Sequence, residues 1–184
     1  MHEIRWHGRG GQGAVTSAKL LADAAFRSGF EGVTSQPSFG AERRGAPITA
    51  SSRLAHEPIR VLSQVTAPDI VVVLDDSLLG VAKATAGMRP GGTIIVNTTK
   101  SVAELGLGGD IRVVTSDVTG AAQAVDLIVG GQPMVSTAIL GAFAAATGLI
   151  TMAGVEAAIG KAFKGTAASK NIEAAKIAYE CTRA

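Results

Sequence analysis

The apolar residues in the first two thirds of the chain fall into short unbroken runs. Residues Ile70–Leu74 read Ile-Val-Val-Val-Leu, which is the pattern of a parallel strand covered on both faces. In a shorter run near the start of the chain, Ile4 and Trp6 share one face. The strands predicted in this way lie at residues 3–6, 70–74, 93–96 and 111–114.

Apolar residues at helical spacing lie between and after these runs. From Ala14 to Ser28 they form one stripe, and Gly29 then supplies a stop. The stripe consists of Val15, Ala18, Ala22, Ala25 and Phe26. Further helices are predicted at residues 77–86, 135–146, 155–163 and 168–179. Strands that alternate with helices indicate an α/β fold, here a Rossmann-like, mainly parallel sheet flanked by helices, with a helical C-terminal part.

A second pattern predicts a small antiparallel hairpin. Residues 48–54 alternate between apolar and polar side chains, and residues 59–61 follow after Pro58 in a turn. Residues 33–35 predict one more short strand. Because the sequence has no internal repeat or linker, we expect residues 1–184 to form a single domain.

Composition restricts the class of protein. The chain has 184 residues, 47% of them hydrophobic and only 17% charged, so part of its surface is expected to be buried against other chains. A net charge of +2 does not suggest nucleic-acid binding. The single cysteine, Cys181, cannot ligate an iron–sulfur cluster alone and favours a cytoplasmic location. The uncharged segment 127–155 is interrupted by glycines and a proline, so we expect buried helices there and no membrane span.

A glycine-rich turn is the first candidate site. Gly8, Gly10 and Gly13 fit the pattern G-x-G-x-x-G between a predicted strand and a predicted helix. Such a turn can place backbone N–H groups around an anion, or it can simply pack the helix onto the sheet. A dinucleotide site would also need a carboxylate at the end of the second strand. Ser35 and Gln36 stand there instead, which disfavours NAD or FAD.

A pair of arginines is the second candidate site. Arg43 and Arg44 lie on a glycine-flanked loop and can present forked donors to phosphates, together with Arg9 of the glycine turn. The alternative is a solvated ion pair between one of the two and Glu42.

Other polar residues give weaker signals. Asp75 and Asp76 are expected to cap the next helix, and Asn97 either lines a crevice at a strand end or completes a turn. His7 lacks the partner that a general base needs, and Lys170 is expected on the surface. No catalytic residue and no metal ligand is predicted.

These motifs resemble a known family. The segment His7-Gly8-Arg9-Gly10-Gly11-Gln12-Gly13 and the later Glu42-Arg43-Arg44-Gly45 resemble the gamma subunit of pyruvate synthase and related 2-oxoacid:ferredoxin oxidoreductases. The segment Thr137–Phe143 resembles the family's NTAMLGAF stretch, with Ser136 where asparagine is frequent. The resemblance covers nearly the whole chain.

The resemblance implies a subunit that has no complete active site of its own. Such enzymes oxidatively decarboxylate a 2-oxoacid on thiamine diphosphate, pass electrons through 4Fe–4S clusters to ferredoxin and form an acyl-CoA. Thiamine diphosphate and the clusters are expected on alpha, beta and delta-type partner subunits. The resemblance assigns coenzyme A (CoA) contacts in this chain to Gly8, Arg9, Gly10, Gly11, Gln12, Gly13, Arg43 and Arg44. Two alternatives stay open: a purely structural assembly subunit, and a free-standing dinucleotide-binding oxidoreductase.

Overall fold

The computed structural model describes residues 1–37, 44–61 and 63–184. A six-stranded sheet has the order β2-β3-β1-β4-β5-β6. Strands β1, β4, β5 and β6 pair in parallel, whereas β3 runs antiparallel to both β1 and β2. The strands are β1 (His2–Arg9), β2 (Gly32–Pro37), β3 (Pro47–Ala55), β4 (Ile70–Val73), β5 (Gly92–Asn97) and β6 (Ile111–Ser116).

Helices cover both faces of this sheet. They are α1 (Ala14–Arg27), α2 (Leu78–Val81), α3 (Val102–Leu105), α4 (Val118–Ala124), α5 (Val135–Thr147), α6 (Met152–Ala162) and α7 (Gly165–Glu180). The larger core lies on the face of α1 and α4–α7 and contains Ile4, Trp6 and Val72. The smaller core, on the face of α2 and α3, contains Val71 and Val73. Successive β4 residues therefore enter different cores, which explains the unbroken apolar run.

The predicted α/β fold is confirmed, but some elements differ. The helix predicted at residues 77–86 is only the short α2, because Lys83 takes a left-handed φ of 44° that breaks helical geometry. Phe26 does not belong to the buried stripe of α1 and is 63% exposed. It lies about 100° around the helix axis from the buried Ala25. Helices α3 and α4 were not predicted.

The antiparallel hairpin was predicted at the wrong place. Strand β3 pairs with β1 and β2, with Trp6 opposite Ala50 and Val33 opposite Leu54. Residues 59–61 form no strand, since β1 and β2 offer β3 longer partners. The small antiparallel hairpin consists of β7 (Ile128–Val129) and β8 (Gln132–Pro133). Gly130 and Gly131 both have positive φ in its turn, as a type I′ turn requires.

The topology creates a crevice between β1 and β4. Helix α1 leaves β1 on one face of the sheet, whereas α2 leaves β4 on the other. Ligands of open α/β sheets bind where neighbouring strands send their helices to opposite faces, at the carboxyl ends. Because β3 lies between β1 and β2, the end of β2 is about 10 Å from β1. Ser35 and Gln36 are thus outside the place where a dinucleotide site has its carboxylate.

The uncharged segment 127–155 contains the hairpin and the buried helix α5. Helix α5 packs closely on α7 through Gly141: a Cβ built at this glycine would overlap the carbonyl oxygen of Ala175. Among the helices of the described ranges, none is long and apolar enough to span a membrane. At the outer edge of the sheet, Arg183 forms a two-hydrogen-bond bridge with Thr115 of β6.

The contact between α5 and α7 gives a stability prediction. Gly141→Ala should lower the free energy of unfolding by about 1–3 kcal/mol, because the added methyl group forces the two helices apart. Gly160→Ala is the matched control, since this helical glycine of α6 has open space around its Cβ position. It should raise stability by about 0.5–1 kcal/mol. Denaturant unfolding of both variants measures the difference, and equal effects would contradict the close-packing account.

Candidate ligand-binding crevice

A crevice of about 800 Å³ lies at the carboxyl ends of β1, β4, β5 and β6. This volume is in the range of sites for small organic ligands. Its walls come from the glycine turn, the Arg44–Gly45 segment, the turns after β4 and β5, the start of α4, the β7–β8 hairpin and the start of α5.

The glycine turn and the arginine loop meet at one end of the crevice. Gly10 donates its N–H to the carbonyl of Ala46 at 2.8 Å, and Gly45 donates to the carbonyl of Gly10 at 3.0 Å. Arg44 is bridged to Gly10 by this pairing and lines the crevice with Arg9. Arg43 and Glu42 lie outside the described residues. The structure thus brings Arg44 beside the glycine turn.

The glycines of the turn have different roles. A Cβ at Gly8 would lie 3.1 Å from that of Ala14, and one at Gly13 would lie 2.6 Å from the Cβ of Ser136. These two glycines therefore allow close packing, as the simple packing interpretation of the motif requires. Gly10 and Gly11 line the crevice, and Gly11 has a φ of 95° with open space around it. Only this part of the motif presents backbone to a ligand.

Gly13 also joins two helix starts. It precedes α1 with a left-handed φ of 86°, and Ser136 belongs to the first turn of α5. Ser17 donates its hydroxyl to the carbonyl of Ser136 at 2.7 Å. Neither α1 nor α5 has a side-chain cap, so their first N–H groups have no side-chain acceptor. Ser136 itself is 1% exposed and does not line the crevice.

Asp75 connects the glycine turn to the end of β4. One carboxylate oxygen accepts hydrogen bonds from Arg9 Nε at 3.0 Å and from Gln12 Nε2 at 3.1 Å. The other accepts from the backbone N–H of Ser77 at 3.0 Å. Partial burial alone would raise the pKa of Asp75, but hydrogen bonds from Ser77, Gln12 and Arg9 outweigh it and lower the pKa. Asp75 is therefore an ionised connector rather than only a helix cap.

The two described arginines of the site differ in availability. Arg9 is braced by Asp75, by the carbonyl of Gly45 at 3.1 Å and by the hydroxyl of Ser77 at 2.6 Å. Arg44 is exposed, and its side chain has no polar partner within the part of the chain that the structure describes. Arg44 is the cation whose donors face solvent at the crevice rim.

Asp76 and Asn97 also border the crevice, but their side chains are engaged. Asp76 accepts from the hydroxyl of Thr98 at 2.9 Å and pairs with Lys100 at 3.0 Å. Asn97 is buried, donates to the carbonyl of Leu74 and the hydroxyl of Thr119, both at 2.9 Å, and accepts from the N–H of Thr119 at 3.1 Å. Asn97 thus fixes the crevice floor by tying β5 to β4 and α4.

Sequence reasoning missed the far wall of the crevice. This wall includes Asp117, Gln123 and the β7–β8 hairpin. Asp117 caps α4 by accepting from the N–H of Gly120 at 2.7 Å. Two signals were present: an Asp directly after the β6 run, which is typical of a helix cap, and the Gly130-Gly131 pair, which is typical of a hairpin turn.

His7 and Lys170 lie away from the crevice lining. His7 is buried in β1, and its Nε2 accepts from Arg5 Nε at 3.1 Å. Burial, assisted by the charge of Arg5, lowers its pKa to about 4, so the ring is neutral at physiological pH. Lys170 binds Asp126 at 2.9 Å on the surface. Within residues 1–37, 44–61 and 63–184, no group of three or more His, Cys, Asp or Glu residues is placed to hold a metal.

The connector role of Asp75 can be tested with Asp75→Asn. Loss of the charge weakens hydrogen bonds from Arg9 and Gln12, so the free energy of unfolding should fall by about 1–3 kcal/mol at neutral pH. The pKa of Asp75 in the folded state lies below its ordinary value of 3.8. The stabilisation by the Asp75 carboxylate is therefore complete above pH 3.8 and is lost as the pH falls through the folded pKa. Asp126→Asn, which breaks an exposed pair, should cost under about 1 kcal/mol. Equal losses in thermal or denaturant unfolding would refute the connector role.

His7 predicts a separate pH effect. The unfolded state takes up a proton near pH 6.5, whereas folded His7 does so only near pH 4. As the pH is lowered from 6.5 to 4, the free energy of unfolding of the wild type should therefore fall by up to about 3 kcal/mol. His7→Phe should have a flatter profile in this window. His2, whose pKa is also lowered by partial burial, is measured in parallel as His2→Gln. An unchanged slope in His7→Phe would show that His7 does not cause the loss.

Comparison with known proteins finds a family and relatives that match nearly the whole chain. The family model for pyruvate ferredoxin/flavodoxin oxidoreductase matches residues 3–181. The common gamma subunit of the pyruvate/ketoisovalerate oxidoreductases of Thermococcus kodakarensis is 49% identical, with 99% of this chain and 97% of that one covered.

Two solved structures share the fold. Pyruvate oxidoreductase subunit PORC from Thermotoga maritima has a TM-score of 0.85 and 33% identity, and the match covers 99% of this chain and 97% of that one. The 2-oxoglutarate:ferredoxin oxidoreductase from Magnetococcus marinus, solved with 2-oxoglutarate, coenzyme A and succinyl-CoA bound, has a TM-score of 0.76 and 17% identity. It covers 98% of this chain and 30% of that one. The chain belongs to the pyruvate ferredoxin/flavodoxin oxidoreductase family, as a gamma subunit of a 2-oxoacid:ferredoxin oxidoreductase.

Proposed function

We propose that this gamma subunit binds CoA in the crevice and so serves the acyl-transfer half of the oxidoreductase reaction. The proposed contacts are Arg9, Gly10, Gly11 and Gln12 of the glycine turn, with Arg43 and Arg44 from the loop. Gly8 and Gly13, which the resemblance also assigned to CoA, lie outside the crevice lining and serve through packing. Thiamine diphosphate and 4Fe–4S clusters are assigned to alpha, beta and delta-type partner subunits, and ferredoxin to the role of electron acceptor. The single cysteine is in keeping with this division of labour and with a cytoplasmic location.

The meeting of Gly10 and Arg44 is the observation that carries this proposal. It places an exposed guanidinium beside open glycine backbone, next to the uncapped start of α1. Backbone N–H groups at a helix start and a forked cation both favour phosphate oxygens. CoA carries a pyrophosphate and a 3′-phosphate, so its chemistry fits this end of the crevice.

The other residues of the turn act on position rather than on charge. Asp75 neutralises part of the charge of Arg9 and fixes its guanidinium, so Arg9 supports the turn and keeps only its remaining N–H groups for a ligand. Gly8 and Gly13 set the geometry through packing. The Magnetococcus relative, which has coenzyme A bound, has the same fold at low identity. In this proposal the chain holds CoA, the acceptor of the acyl group, and no proton transfer is assigned to the chain.

The proposal predicts the effect of Arg44→Ala in the assembled enzyme. Loss of a charged hydrogen-bond donor to phosphate should raise the apparent KM for CoA by roughly ten- to hundredfold. The KM for the 2-oxoacid should change little, because the proposed contact is to CoA alone. Arg60→Ala, which removes another exposed arginine outside the crevice lining, is the control and should leave both constants near wild type. Steady-state kinetics at varied CoA measures the effect.

Salt provides an independent readout. Raised ionic strength should weaken CoA binding more in the wild type than in Arg44→Ala, since screening acts on the charge that the variant lacks. If Arg44→Ala assembles normally and keeps the wild-type KM for CoA and its salt dependence, the loop is structural. The purely structural assembly subunit would then be the better account of this chain.

A further inference from the structure

The two faces of the sheet are covered unequally. Helices α1 and α4–α7 cover one face, whereas within the described ranges the other face has only α2 and α3, of four residues each. Beside these short helices, several apolar side chains of the smaller core stay partly exposed, namely Leu79, Met88, Val102, Leu105 and Leu107. A layer this thin leaves apolar area that a further protein surface can bury.

The most exposed large hydrophobic side chain of the described ranges lies on this thin layer. Val81, the last residue of α2, is 71% exposed. Residues 78–88 around it contain a single charged residue, Lys83. An exposed aliphatic side chain with few charges around it is typical of the centre of a protein–protein interface, where charged residues are depleted.

Arg5 lies next to this segment without a carboxylate partner. It pairs with Val71 of the smaller core, so its side chain is on the same face of the sheet as α2. Its guanidinium donates to the carbonyls of Ala84 and Ala86 and to Nε2 of His7. These acceptors carry no charge. Partial burial therefore lowers the pKa of Arg5, with no nearby anion to oppose the shift.

Lys83 is a second cation without an anion. It is exposed and has no polar partner within the part of the chain that the structure describes. Carboxylates close by along the chain have other partners: Asp76 pairs with Lys100 at 3.0 Å, and Glu3 binds two other arginines at 2.9 and 3.1 Å. A surface that packs against Arg5 and Lys83 must therefore supply negative charge, because covering a cation without a partner is costly.

We infer that the α2 surface, which consists of Arg5 and residues 79–88, is the docking site for another subunit of the oxidoreductase. That subunit presents an acidic side chain to Arg5 and Lys83 and an apolar side chain to Val81. Charge complementarity favours this occupant over a second copy of the chain. In a twofold dimer the same patch faces itself, which would bring both cations against their own copies. The inference rests on membership of a family of enzyme subunits and is independent of CoA binding.

The test compares variants of the α2 surface in the assembled enzyme. Tagged full-length chain is co-expressed with the other subunits of its oxidoreductase, and the subunits that stay bound at increasing salt are quantified by mass spectrometry. Val81→Asp and Lys83→Glu should each retain these subunits at least about tenfold less than the wild type. Lys83→Arg keeps the charge and should retain them normally. Retention by Lys83→Ala should depend less on salt than retention by the wild type, since screening acts on the charge that is removed.

Lys19→Glu and Phe26→Asp are the matched controls. They make the same kinds of change at an exposed lysine and an exposed apolar residue of α1, on the opposite face of the sheet. Both should retain the other subunits within about twofold of the wild type. Because Val81 and Lys83 are exposed, Val81→Asp and Lys83→Glu should unfold at the wild-type denaturant midpoint, which shows that lost retention reflects docking and not folding.

Three results would overturn the inference. The first is wild-type retention by both Val81→Asp and Lys83→Glu. The second is loss of the other subunits from the α1 controls instead, which would place the docking site on the opposite face. The third is a homodimer of the isolated chain, seen by sedimentation, that Val81→Asp dissociates, because the α2 surface would then join two copies. None of these readouts uses CoA, so this inference and the proposed function stand or fall separately.

Discussion

The carboxylate of Asp75 is the interaction on which the geometry of the crevice depends. It holds Arg9 and Gln12 of the glycine turn and the Ser77 backbone after β4. The glycine turn and the turn after β4 come from different parts of the chain, and they follow strands that send their helices to opposite faces of the sheet. An ionised group that accepts several hydrogen bonds from separate segments fixes their relative positions more strictly than apolar contact would, because each hydrogen bond is directional.

Close backbone contacts between helices also fix the geometry of the crevice. Gly13 lets the start of α1 contact the start of α5, and Gly141 lets α5 contact α7. Helix α5 is buried on nearly all sides, so its position is set by the sheet on one side and by α7 on the other. The uncapped start of this helix at the crevice is therefore held by packing along the helix rather than by local polar contacts.

The sequence predicted the features that have a strong period or an unbroken apolar run. Strands β4, β5 and β6 were found because both of their faces are covered, and Ile4 and Trp6 were correctly placed on one face. The pairing of residues 48–54 with 59–61 was wrong because alternation shows that a strand has two unlike faces but not which strand lies beside it. The helix predicted at residues 77–86 was longer than the observed α2, because the spacing of apolar residues does not reveal the left-handed φ of Lys83. For the crevice, the motif identified the β1 end. The far wall has two-residue strands and a seven-residue helix, which are too short for any periodicity to appear.

The pairing of Arg183 with Thr115 limits the addition of a strand from another molecule to this edge of the sheet. An outer strand exposes unpaired backbone groups that invite a strand from another molecule. Near the carboxyl end of β6 these groups are already occupied by the last residues of the chain. On the opposite side, β2 ends in Pro37, which has no N–H to offer. Each outer strand is therefore blocked near its carboxyl end, so a strand from a neighbouring chain cannot pair with either of them along its full length.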